Sequence, residues 1–119
     1  QASHPVVIPE VDSLADSLQG GITPHNHHSF EMVRDLVDDL VLVDEEEIGV
    51  AMAEAVIEER VVLEGAGATP IAALLSRDRG LFGARIALVA TGAMVDSRTL
   101  TSLVETHRDR VAAILGSTP

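Results

Sequence analysis

Lysine is missing from all 119 residues, and the eight basic side chains are arginines. No residue of this chain can therefore hold a carbonyl compound as a lysine Schiff base. Cysteine is absent too, which excludes disulfides and thiolate chemistry and fits a cytoplasmic protein. Aromatic residues make up only 2%, all of them phenylalanine. No apolar run approaches the ~18 residues that a membrane span needs, so a soluble protein without a membrane partner is expected. No basic segment with a cleavage site opens the chain, and no signal peptide is expected.

What is present is aliphatic. Hydrophobic residues make up 46%, drawn from Val, Leu, Ile and Ala, which is too apolar for a disordered chain. The length suits one domain with a real core. A net charge of −11 argues against nucleic acid and anionic membrane surfaces, which are bound through basic patches. Acidic residues gather at Asp38, Asp39, Asp44, Glu45, Glu46 and Glu47. A cation site would need their oxygens to converge on one point. A solvated turn and helix start is the plainer reading.

Periodicity divides the chain into alternating elements, with no internal repeat or linker. "HPVVIP" reads as a short extended piece between prolines. "EVDSLADSLQGG" carries Val11, Leu14, Ala15 and Leu18 at helical spacing, stopped by Gly20 and Gly21. After the polar loop "ITPHNHH", Ser29 is a candidate N-cap for a helix that places Phe30, Val33 and Val37 near one face, with Leu36 at its border. "DLVLVD" reads as a short buried strand. Asp44 then caps the next helix, and Glu47, three residues on, completes a capping-box spacing. That helix directs Ile48, Ala51, Met52, Ala55 and Val56 inward. "VVLEGAG" leads into the apolar helix "ATPIAALLSR". "ARIALVAT" is the clearest strand, apolar on both faces as in a covered parallel sheet. The last segment reads as one broken helix or two. Strands alternating with helices imply an α/β fold, a partial open parallel sheet flanked by helices across residues 1–119. The strand count is low for this length, so the sheet is expected to be incomplete.

In such a sheet ligands bind beyond the carboxyl ends of the strands, where helix N-termini point. Two places fit: Glu64-Gly65-Ala66-Gly67, and Thr91-Gly92-Ala93-Met94. Glycine there allows positive φ and lets a flat ligand approach the backbone. Ordinary strand-to-helix turning needs glycine as well, and spacing alone leaves both readings open. Neither stretch is a P-loop or a dinucleotide fingerprint. His25, His27 and His28 lie within four residues and could supply two or three ligands to zinc. No second cluster has metal-ligand spacing, and a solvated loop is the simpler reading. No metal site is assigned.

Taken in order, "PEVDSLADSL", "FEMVRDLVDDLVLVDEEEI", "VVLEGAGATPIAALL" and "ALVATGAMVD" resemble the second half of the catalytic domain of serine/threonine dehydratases. These are fold-type II pyridoxal-phosphate enzymes, a family that includes threonine deaminase and serine racemase. "SLADSLQGGI" is most similar to the hydroxyectoine-utilisation dehydratases. The resemblance covers roughly residues 5 to 100 and implies the second half of a tryptophan-synthase-β-like fold. It implies pyridoxal 5'-phosphate as cofactor in the intact protein and a small hydroxy amino acid as substrate. It also implies cofactor-binding roles for Thr91, Glu64, Gly65, Gly67 and Gly92. The counterpart of Thr91 is a serine hydroxyl bonded to the pyridine nitrogen, and the counterpart of Glu64 lies close to the ring. A hydroxyl is a poor acid, so the ring nitrogen can stay unprotonated, which suits β-elimination.

This chain departs from the family pattern at three places. Thr91-Gly92-Ala93-Met94 stands where the family has Ser-Gly-Gly-Asn, Gly65 stands for proline, and Ser17 stands for the glycine of Ala-Asp-Gly. The family's Schiff-base lysine, substrate-carboxylate loop and phosphate cradle all lie upstream of the matching segment. The resemblance therefore implies a fragment of a dehydratase or racemase, inactive alone, with no catalytic residue of its own. The family is usually dimeric or tetrameric, so self-association or contact with the missing N-terminal part is expected. A reading from another class is an acidic α/β module that binds a partner protein and catalyses nothing.

Overall fold

The computed structural model describes residues 4–7, 9–21, 25–26, 28–77 and 81–116. In chain order it has a 3-10 turn at Asp16–Leu18, α1 (Ser29–Leu36), α2 (Glu45–Ile57), α3 (Gly65–Ser76) and α4 (Ser97–Gly116).

The start of α2 follows from local spacing. Asp44 Oδ1 accepts from the Glu47 N–H at 2.8 Å, and Glu47 Oε2 accepts from the Asp44 N–H at 2.8 Å. This closes the expected capping box. The neighbouring glutamates sit in the first turn, where the helix dipole favours anions. Each also reaches a different segment. Glu45 accepts from Ser13 Oγ at 2.5 Å and from the Leu14 N–H at 2.7 Å. Glu46 pairs with Arg110 of α4. Glu47 pairs at 2.5 Å with Arg77, which follows α3 and also donates to the Leu42 carbonyl. The acidic run, expected as a solvated turn and helix start, does start the helix, and Glu45, Glu46 and Glu47 also tie down three segments.

Every residue of α2 from Ile48 to Ala55 is buried. The face expected inward explains half of this, with Ile48, Ala51, Met52 and Ala55 packed beside Ala68 and Ala72 of α3. Val56 is half-buried. The other half is Val50 and Ala53 against Val111 of α4. Small residues bring the helices close. A Cβ on Gly49 would come within 2.8 Å of His107 Nε2 on α4.

Pro70 stands inside α3 and cannot donate to the carbonyl four residues back. Thr69 Oγ1 takes that place, donating to the Ala66 carbonyl at 2.9 Å. The expected break near the C-terminus does not occur. α4 is a single helix of 20 residues, and Asp96 Oδ1 caps it by accepting from the N–H groups of Arg98 and Thr99 at 2.9 and 3.1 Å.

Other expectations need correction. The helix expected around residues 11–18 is only one 3-10 turn, because side chains claim its backbone donors, one from outside the segment and one from within. The Leu14 N–H goes to Glu45, and the Ala15 N–H goes to Ser13 Oγ at 3.0 Å. Val11 and Leu18 are exposed. Ser29 is the first helical residue of α1 rather than its cap. Asn26 Oδ1 accepts from the Phe30 N–H at 2.9 Å, and Asn26 Nδ2 donates to Ser29 Oγ at 2.6 Å. The face expected to be buried on α1 leaves Phe30 half-buried and Val33, Leu36 and Val37 exposed.

Among the described residues no strand ladder forms. The stretches expected as strands, 39–44 and 84–91, run outside helices, and Leu40, Leu42 and Val89 are exposed at 75%, 85% and 73%. Only Val43 turns inward onto the helical core. The radius of gyration is 15.8 Å, against about 13.5 Å for a compact chain of this length. The excess fits apolar segments that stand away from the α2–α3–α4 core. No helix among the described residues is long and apolar enough to cross a membrane. "HPVVIP" contains Ile8, and "ITPHNHH" contains residues 22–24 and 27, all outside the described residues.

Two measurements check this core. Asp44→Ala should cost about 1 kcal/mol in urea unfolding through loss of the cap. Glu54, buried on α2, has its carboxyl pushed up by desolvation and then by Glu59 and Glu58. Its folded form holds the proton more tightly than the unfolded chain does, so stability falls as pH rises from the ordinary carboxylate range through the raised value. Glu54→Gln should therefore raise Tm at neutral pH and lose that advantage below about pH 4.

Candidate functional site

Both glycine turns meet at the start of α3. Glu64 is the residue before the helix, with extended φ −73° and ψ 164°. Its N–H donates to the Gly92 carbonyl at 3.2 Å, linking the two turns across 28 residues of sequence. Its carboxylate makes no bond to the amides of its own helix. Oε2 instead accepts from the Met94 N–H at 3.0 Å, and Oε1 accepts from Ser17 Oγ at 3.4 Å.

The glycines have a steric reason. A Cβ at Gly65 would overlap the Leu14 carbonyl, and a Cβ at Gly67 would overlap the Thr91 carbonyl oxygen. Gly92 has φ +67°, and a Cβ there would also run into the Glu64 carboxylate. Within this chain, the backbone room that glycine gives is taken by other backbone. Gly65 and Gly67 are buried, Glu64 is half-buried, and Thr91 and Gly92 are exposed. The structure thus brings all five expected cofactor-binding residues, Glu64, Gly65, Gly67, Thr91 and Gly92, to one corner.

Beside this corner lies a cavity of about 240 Å³, walled by Leu14, Asp16, Met52, Glu64, Met94 and Asp96 among others. That is below the ~300 Å³ at which pockets for small organic ligands begin. Three of its lining residues are acidic and none is basic. The three carboxylates disfavour a phosphate group here, because no cation offsets their charge. The exposed Thr91 hydroxyl does fit the nitrogen of a pyridine ring, as donor to a lone pair.

A larger hollow of about 340 Å³ runs along α1, lined by His28, Glu31, Met32, Asp35 and Leu36. One helix and its cap cannot enclose a ligand. His25 and His28 are exposed, and His27 lies outside the described residues. Among the described residues no three His, Cys, Asp or Glu side chains are placed to hold a metal. Away from the corner, Arg77 holds the Glu47 carboxyl below the usual carboxylate range, mainly through its hydrogen bond.

What sequence reasoning missed is the reach of Glu64. Of its two donors, Met94 gives a backbone N–H, which any residue but proline supplies, and Ser17 gives its hydroxyl. Ser17, where the chain departs from the family pattern, was the available signal.

Residues 1–92 match the family described as pyridoxal-phosphate dependent enzyme. The chain belongs to that family. It is 48% identical over 96 residues to a Sinorhizobium fredii (strain NBRC 101917 / NGR234) protein named "Putative threonine dehydratase", covering 81% of this chain and 29% of that one. It is 37% identical over 108 residues to an L-threonine ammonia-lyase of Geobacter sulfurreducens, covering 91% of this chain and 26% of the relative. Over 80 residues it is 36% identical to the catabolic L-threonine dehydratase TdcB of Staphylococcus aureus strain N315, covering 65% and 23%. The chain spans less than a third of the length of these curated relatives. No solved structure matches it.

Gly67→Ala and Gly92→Ala should each destabilise the chain by about 1–3 kcal/mol or more in urea unfolding, since one overlaps a carbonyl and the other is strained at positive φ. Gly83→Ala, with open space around it, should stay within about 0.5 kcal/mol of the parent.

Proposed function

We propose that this chain is the C-terminal part of the catalytic domain of a pyridoxal-phosphate-dependent dehydratase. The whole enzyme removes water from a small hydroxy amino acid of the threonine or serine type and releases a 2-oxo acid and ammonia. The observation that carries this reading is the convergence of Thr91 and Glu64 at one corner of a segment that belongs to the family. The printed names of the relatives, threonine dehydratases and an ammonia-lyase, support the reaction class.

When bound, pyridoxal phosphate supplies the electron sink for elimination. The Thr91 hydroxyl donates a hydrogen bond to the ring nitrogen without giving up its proton, because an alcohol is far too weak an acid. A carboxylate at that place would hold a charged pyridinium instead. Gly67 and Gly92 let the Thr91 turn sit against α3. The amine and the phosphate donors come from residues outside this chain, so the isolated 119 residues are inactive.

The α/β sheet belongs to the same proposal. Segments 39–44 and 84–91 are strands that pair when the rest of the domain is present. Their exposed aliphatic side chains support this, because a lone strand cannot keep Leu42 and Val89 in water at no cost. Assembly into an oligomer, a cytoplasmic location and a place in hydroxyectoine breakdown are finer parts of the reading, resting on family resemblance alone.

The test uses the full-length protein with cofactor. Thr91→Ala should lower kcat by roughly tenfold or more, about 1.4 kcal/mol in the barrier, while Thr91→Ser should retain most of it. Full activity in Thr91→Ala would refute the role of the hydroxyl. A full-length protein that binds no pyridoxal phosphate would refute the whole reading.

A further inference from the structure

We propose that Glu64 is a positioning residue for Thr91, held to the turn that carries it. The hold on the turn stands by itself; the importance of Thr91 rests on the function proposed above.

Glu64 grips the turn at two points. Its N–H donates to the Gly92 carbonyl at 3.2 Å, and its Oε2 accepts from the Met94 N–H at 3.0 Å. The two bonds close a ring around Ala93. The carboxylate fills the space where a side chain on Gly92 would be, so the left-handed conformation at φ +67° and the carboxylate are matched to each other. On the other side of Thr91, its own carbonyl sits in the notch of Gly67. The backbone at and just after Thr91 is therefore fixed at three points, and Glu64 supplies two of them.

The carboxylate is turned away from its own helix. A capping side chain of the Ser, Thr, Asp or Asn type accepts from the second or third amide of its helix. Glu64 makes no such bond, and among the described residues nothing accepts from the N–H groups of Gly65, Ala66 or Gly67. Ser17 strengthens the alternative arrangement. Its hydroxyl reaches the second carboxylate oxygen at 3.4 Å, which a glycine at 17 could not do. A carboxylate directed at Met94 and Ser17 has little freedom left to act as a charge on a ring.

The experiment is amide hydrogen exchange in the full-length protein, read by proton–nitrogen NMR. Glu64→Ala should speed exchange of the Met94 amide by about tenfold or more, with the amide of buried Val111 unchanged as a control for folding. Glu64→Gln, which keeps an acceptor oxygen, should exchange more slowly than Glu64→Ala and faster than the parent. A Met94 amide that exchanges alike in the parent and in Glu64→Ala would overturn the proposal, and so would equal exchange in the Ala and Gln variants. If Glu64→Ala does not fold, Glu64→Gln decides: faster Met94 exchange than in the parent supports the hold, and unchanged exchange overturns it. In the full-length holoprotein, kcat should fall less in Glu64→Gln than in Glu64→Ala; an equal fall would mark a ring-side charge and overturn the positioning role. Should Thr91→Ala be fully active, the Met94 result would still stand, and only the function given to Thr91 would fall.

Discussion

Close approach of backbone to backbone at the first turn of α3 is the constraint on which the rest of this structure depends. Leu14 and Thr91 each place a carbonyl oxygen where a side chain at residue 65 or 67 would otherwise be. Two loops far apart in sequence are thereby brought to the same helix end. Glu64 then reaches both of them, Met94 in one and Ser17 in the other. Any Cβ at these glycines would push a loop away, and the corner would lose its shape before losing any chemistry.

Behind that corner, α2 acts as the post to which everything else is tied. Its middle is buried all round because small side chains let α3 and α4 close on it from two sides. Its first turn carries Glu45, Glu46 and Glu47, which bind the 13–14 loop, α4 and the end of α3. Exposed ion pairs contribute little energy singly. Their value here is in orientation, since the 13–14 loop forms one wall of the corner. Glu54 works the other way, as a carboxyl whose burial disfavours its charge.

Local features were legible in the sequence. The capping box at Asp44 and Glu47 needs only a three-residue spacing, and α2 lies where periodicity puts it, while α3 begins at Gly65, three residues before the expected Ala68. The glycine turns were legible in position but not in cause, because the oxygen over Gly67 belongs to residue 91. The helix expected from Val11 to Leu18 failed for the same kind of reason, as Glu45 takes a backbone donor that the helix would use. The side chain that accepts from the first turn of α1 is that of Asn26, three residues before the serine that looked like its cap. Strands are the least local element: their hydrogen bonds are made to other chain segments, and the apolar stretches at 39–44 and 84–91 find no strand partner among the described residues. In the candidate site, all five expected residues come together, while the partners of the Glu64 carboxylate were not foreseen.

Family membership gives these features a context. A hydroxyl on a rigid turn next to α3 suits a pyridine nitrogen that must accept a hydrogen bond without becoming charged. The most direct measurement is the nitrogen NMR shift of ring-labelled pyridoxal phosphate bound to the full-length protein. The account predicts the shift of an unprotonated, hydrogen-bonded ring nitrogen that changes when Thr91 is replaced by alanine. A pyridinium shift, or one indifferent to residue 91, would contradict it.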